Sequence, residues 1–90
     1  MNFLHYDFNL VSDDVVEVKL DKQANTFLLD DVNFARYKRG EQYNYYGGQA
    51  KQTPARLSAP RAGHWHLVID LGGYVGTVSA STRVIKAHHV

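Results

Sequence analysis

Hydrophobic and polar positions alternate most clearly over residues 64–71. Trp65, Leu67, Ile69 and Leu71 are large and apolar, whereas His64, His66, Val68 and Asp70 form a mostly polar line. A period of two predicts a β-strand with one buried face. Trp65 then belongs to the core, and two imidazoles and a carboxylate share one exposed line. Gly72-Gly73 offers the positive-φ turn of a tight hairpin.

The same alternation recurs upstream. Phe3–Leu10 turns Leu4, Tyr6, Phe8 and Leu10 inward, Val15–Leu20 turns Val16, Val18 and Leu20 inward, and Asn25–Leu29 does so with Phe27 and Leu29. Residues 31–40 read as a helix, capped by Asp30 or Asp31 and ended by Gly40. Phe34, Tyr37 and Lys38 share one side of it at i, i+3, i+4 spacing. Beyond it, Glu41–Tyr46 and Gln49–Leu57 are expected as strands around a Gly47-Gly48 turn. Pro54 marks an edge or bulge, since it cannot donate to a ladder. A last strand is expected over Tyr74–Ile85, with Val78, Ala80, Thr82 and Val84 on one face.

Seven or eight short strands, glycine turns and one short helix predict an all-β fold, a small antiparallel sandwich. Its span is expected to be residues 1–86, followed by a tail over 87–90. At 90 residues and 44% hydrophobic composition, the chain suffices for one core. It contains no cysteine, which removes disulfides, thiolate zinc sites and cysteine nucleophiles together. No apolar run approaches the ~20 residues of a membrane span, and residues 1–7 lack the basic and apolar regions of a signal peptide. A cytoplasmic protein without membrane attachment is expected.

Charge is divided along the chain: residues 1–35 hold seven acids against Lys19 and Lys22, and residues 36–90 hold eight bases against Glu41 and Asp70. Either the signs interleave once the strands pair, or a basic face awaits an anionic partner.

Candidate chemistry centres on the histidines. His64 and His66, at i and i+2, project from one face roughly 6–7 Å apart. They can act as solvent-facing hydrogen-bonding groups or ligate a metal, with His5, Asp7 or Asp70 completing the set. Tyr37, Tyr43, Tyr45, Tyr46 and Tyr74 cannot all be core, and bases including Arg36, Lys38 and Arg39 lie among them. Aromatics interleaved with bases suit a nucleotide or single-stranded nucleic acid; equally, the tyrosines can cover sheet edges. Ser58, Ser79 and Ser81 lie within strand patterns, the acids Asp30-Asp31 suit a helix cap, and no phosphate-binding glycine loop precedes a helix. No hydrolase or transferase motif is present, and no cofactor is expected.

Asn2–Asp7, Asp31-Val-Asn-Phe34 with Tyr37-Lys38 and Gly40, Tyr45-Tyr-Gly-Gly48, and Gly63–His66 through Ile69–Tyr74 resemble one family. It is the bacterial domain of unknown function 1883, and the similarity runs to about Ile85. The resemblance implies a small β-rich domain, found alone and attached to TIR domains, with no activity to carry over. Its recurrent polar positions fall on His5, Asp7, Asn33, His64, His66 and Asp70.

The sequence is therefore read as a non-catalytic recognition module for a small molecule or a protein. The expected ligand face is His5, Tyr45, Tyr46, His64, His66, Asp70 and Tyr74, with Arg36, Lys38 and Arg39 as anion contacts. The alternatives are a metal-dependent protein using His64 and His66, and a structural domain that buries its tyrosines in a homodimer.

Overall fold

A computed structural model describes residues 3–50, 53–72 and 76–87. Among them lie seven strands and one helix: β1 (Phe3–Leu10), β2 (Val15–Leu20), β3 (Ala24–Asp30), α1 (Asp31–Arg39), β4 (Tyr46–Ala50), β5 (Ala55–Ser58), β6 (Gly63–Asp70) and β7 (Ala80–Ile85). They form two antiparallel sheets, ordered β1-β6-β3-β4 and β5-β2-β7. The expected all-β class holds. None of the described helices is long and apolar enough to cross a membrane.

Between the sheets lies the main core. Leu10, Val16, Val18, Ala24, Leu28, Ala59, Trp65, Leu67 and Ile69 are buried there, with Leu4, Tyr6, Phe8 and Val84 packed against them. Alternation predicted these faces on β1, β2 and β6, including Trp65, whose indole N–H donates to the carbonyl of Arg61 at 3.0 Å. On β3 the expectation is corrected: Ala24 and Leu28 enter this core, whereas Phe27 and Leu29 face the other side of the sheet, where α1 covers them.

A second, smaller core lies on the outer face of the four-stranded sheet. The Asp30 carboxylate accepts from the Asn33 backbone N–H at 2.9 Å and starts α1, and Gly40 ends it at φ 75°. Nine residues are too few for a helix to persist alone in water. Its stability comes from laying Phe34 and Tyr37 on Phe27, Leu29 and Val68, all buried. Full burial of a side chain of this size contributes about 1.5–3 kcal/mol.

This corrects the expectation of an exposed line on β6. Val68 is 0% and His66 8% exposed, because α1 covers the face that the period of two marked as polar. A strand pattern records which side chains share a face, not what later folds onto it.

Further expectations are corrected. Gly72-Gly73 does not close a tight hairpin from β6 to β7: β6 pairs with β1 and β3, and β7 with β2 in the other sheet. Accordingly β7 starts at Ala80, although Val78, Ala80, Thr82 and Val84 do share the inner face. Residues 41–45 are not a strand; the Asn44 backbone N–H donates to the Asn33 side chain instead of to a ladder. Gly47-Gly48 lies inside β4, opposite Phe27 and Thr26, and the chain that follows splits into β4 and β5 in different sheets. Pro54 precedes β5, an edge strand, as its missing N–H requires.

The divided charge resolves into cross-strand and cross-element pairs. Glu17 meets Arg83 and Arg56, Asp30 meets Arg61, and the fully buried Asp14 meets Lys86 and the backbone amides of Val11 and Ala87. Acids of the first part of the chain interleave with bases of the second.

Gly47 has φ 116°, and a Cβ there would lie 2.3 Å from the carbonyl oxygen of Thr26. Gly47→Ala is expected to destabilise the fold by about 2 kcal/mol or more, measured by urea unfolding. Gly48→Ala, where nothing lies within 4 Å of the added Cβ, is expected to cost less despite its φ of 148°.

Candidate functional site

The outer face of the four-stranded sheet gathers polar side chains at one end of α1. In the β1–β6 register Asp7 lies opposite His66 and Asn9 opposite His64, so Asp7 is diagonal to His64. Diagonal neighbours on one face are within reach of long side chains. At the other side of β6, Leu29 lies opposite His66 and Asp30 opposite Trp65, and the chain turns directly from Asp30 into the helix. Asp31, the first helical residue, is thereby placed over the two β6 histidines.

Five side chains form one continuous hydrogen-bonded chain. Asp7 Oδ2 lies 3.1 Å from His64 Nε2, and His64 Nδ1 lies 2.8 Å from Asp31 Oδ1. The same Asp31 oxygen lies 2.6 Å from His66 Nε2, and His66 Nδ1 lies 2.8 Å from His5 Nε2. The rings of His5 and His66 sit side by side beneath Phe34, with centroids 4.3 and 4.2 Å from its ring and tilts of 18° and 14°. Lys38 places its ammonium 4.6 Å from the centre of the same ring.

Carboxylates only accept, and this assigns the protons. His64 contacts a carboxylate at each nitrogen, so both nitrogens donate and the ring is an imidazolium. The hydrogen bond to Asp7, then that to Asp31, raises its pKa above the ordinary 6.5. His66 donates from Nε2 to Asp31; its Nδ1 then accepts from Nε2–H of His5 when both rings are neutral. Burial, followed by the neighbouring His66, lowers the pKa of His5. Asp31 and Asp7 are held below the usual carboxylate range by hydrogen bonds from His66 and from His64 respectively. The side chains of Asp7 and Asp31 are 60% and 66% exposed, that of His66 10%. Water screens the outer pairs, which contribute little to stability; the apolar contacts of Phe34 and Tyr37 hold the helix in place.

Of the residues expected at the site, His5, His64 and His66 come together. Asp70 does not join them: it accepts from the Tyr37 hydroxyl and from the Gly72 backbone N–H, tying α1 and the end of β6 to the sheet. Burial and that bond raise the Tyr37 pKa. Tyr45 and Tyr46 are both 46% exposed but lie on opposite sides of the sheet, Tyr45 against Phe27 and Tyr46 edge-on to Trp65. They form no common surface, because neighbouring residues at the start of a strand point to opposite faces. Arg39 pairs with Glu41, Lys38 covers Phe34, and Arg36 is exposed on the helix. Tyr74 lies outside the described residues.

Asp31 was missed as a site residue. Asp30-Asp31 reads as a cap, and one of the two is; the other stands one residue further on and therefore points elsewhere. An acidic pair at a strand-to-helix junction was the available signal. Beside the cluster opens a shallow pocket of about 230 Å³, lined by Asp30, Asp31, Val32, Arg61, His64 and Trp65 among others.

The sequence model of the family described as Domain of unknown function (DUF1883) matches residues 1–88. Comparison with curated proteins and with solved structures returns no match.

Because the pKa of His64 is raised on folding, its contribution is fully present below the unfolded value of 6.5 and is lost as pH rises through the folded value. The melting temperature of wild type is expected to exceed that of His64→Gln by about 2–4 °C near pH 5.5. The gap should shrink as pH rises past the raised value. His5 acts with opposite sign: its lowered pKa stabilises above 6.5 and the effect fades as pH falls through its folded value. Thermal melts of wild type, His64→Gln and His5→Gln across pH 5–9 check both signs.

Proposed function

The chain belongs to the family described as Domain of unknown function (DUF1883), and on that premise we propose that it is a non-catalytic recognition module whose ligand binds at the Asp7–His64–Asp31–His66–His5 chain. One observation carries this reading. A polar cluster is fixed from below by a sheet and from above by Phe34, yet opens to water through Asp7, Asp31 and His64. Binding groups whose geometry is already set lose little entropy on engaging a ligand. The carboxylates of Asp7 and Asp31, bridged by the His64 imidazolium, offer acceptors within a few ångströms, beside a pocket whose lining includes Arg61.

The non-catalytic part rests on the hydrogen bonds themselves. Among the described residues, none of the cluster's hydrogen bonds involves a serine, threonine or lysine that a histidine could activate as a nucleophile. Its imidazoles face carboxylates and one another. The rival reading, a tyrosine-lined homodimer, loses support because Tyr45 and Tyr46 diverge. Sensing or recruitment in a bacterial cytoplasm is the setting that accompanies the proposal, and attachment to TIR domains in relatives would fit it.

Backbone amide spectra recorded against inorganic phosphate, nucleotides, sugars, short oligonucleotides and divalent metals test the proposal. Saturable shifts centred on Asp7, Asp31 and residues 64–66, abolished in an Asp31→Asn, His64→Gln double variant, are expected for at least one class. Saturable shifts centred on Tyr45 or Tyr46 and untouched by the double variant would contradict it.

A further inference from the structure

Resting on that reading, we propose that Asp31 Oδ1, His64 Nδ1 and His66 Nε2 form a site for a divalent first-row transition-metal ion of the zinc class. The three atoms lie within 4.8 Å of one another. Two imidazoles and one carboxylate suit such an ion by donor type, and leave a position open for water or a partner's ligand.

The surroundings of the two histidines distinguish the cluster from a chance meeting of polar groups. Histidines that ligate metals nearly always engage their second ring nitrogen with an outer partner, which fixes ring orientation. Both do so here: His64 Nε2 meets Asp7 at 3.1 Å and His66 Nδ1 meets His5 at 2.8 Å. The His66 ring is also held flat against Phe34. The nitrogens aimed at the common centre are therefore the two not engaged by those outer partners. Asp31 occupies that centre with a single oxygen, 2.8 and 2.6 Å from them.

Charge and space agree with this assignment. With neutral imidazoles, Asp7 and Asp31 leave two negative charges, which one divalent cation balances. The N-terminus of α1 opposes a cation weakly, through its partial positive charge, and two carboxylates outweigh it. Tetrahedral coordination with bonds of about 2.0–2.1 Å separates ligand atoms by about 3.3 Å. The two oxygen–nitrogen separations, 2.8 and 2.6 Å, must therefore widen by several tenths of an ångström. Asp31 can supply that movement, because its side chain is 66% exposed and free to swing outward.

Metal entry has a definite proton balance. The ion displaces the Nδ1 proton of His64, which leaves to solvent, while Nε2–H keeps its bond to Asp7. At His66 the ion takes Nε2, so the ring becomes the Nδ1–H tautomer and donates to His5 Nε2, and His5 carries its proton on Nδ1. The hydrogen bond between the two rings reverses direction without net proton loss from the pair.

Calorimetric titration of the metal-free protein with zinc chloride tests the site. The protein used carries His88→Ala and His89→Ala, to remove the imidazoles of the terminal segment. One ion per chain is expected. Asp31→Asn and His64→Gln should each weaken binding at least tenfold, and Asp7→Asn, an outer partner, by about tenfold. The altered side chains are exposed enough that folding should survive, and amide spectra of each variant confirm it. Ring nitrogen spectra should show His66 switching tautomer on zinc addition. Absence of saturable binding would overturn the proposal, as would binding that persists in a folded Asp31→Asn, His64→Gln protein. If zinc fails while another ligand class shifts the same residues, the metal assignment falls and the recognition reading stands.

Discussion

The stacking of Phe34 on the paired rings of His5 and His66 is the contact on which the rest of this surface depends. It comes from an apolar requirement. Sheet β1-β6-β3-β4 has Phe27, Leu29 and Val68 on its outer face, and water would contact all three if α1 did not lie there. Phe34 and Tyr37 satisfy that requirement. Once they dock, the position of the helix start is decided, and with it the position of Asp31. The polar cluster is thus a consequence of hydrophobic packing and contributes little to it, which leaves its groups available for a ligand.

Two cores meet on one strand. Residues Trp65–Ile69 of β6 are buried on both faces, by the second sheet on one side and by α1 on the other. A polar ring at 8% exposure in such a strand needs partners, and His66 has one at each nitrogen. Asp70 plays the complementary part at the other end of the helix, where it fixes Tyr37. The helix is pinned at both ends by groups on β6, and only its first turn opens onto the exposed part of the cluster.

Much of this was legible from alternation and capping. The inner faces of β1, β2, β6 and β7 follow the pattern of apolar positions, and α1 ends where Gly40 permits a left-handed residue. What escaped were features set by long-range assembly. The order of strands depends on pairing between distant segments, so Gly72-Gly73 looked like a hairpin although β7 belongs to the other sheet. Gly47 looked like a turn residue, but is needed for a close backbone approach within β4. Burial of the β6 outer face required knowing that the helix folds back over it. The histidines of the cluster could be named individually from the strand pattern. Asp31 could not, because a cap and a ligand look alike in a pair of aspartates, and only the docking angle separates them.

Helix docking locks three imidazoles and two carboxylates into one ordered chain. Long-range proton–nitrogen correlation spectra of the histidine rings near pH 6.5 test it most directly, since they report which nitrogens carry protons. His64 is expected to be protonated on both nitrogens, and His66 and His5 each to be fixed as the Nε2–H tautomer. Rings that average between tautomers, as free imidazoles do in water, would contradict this order.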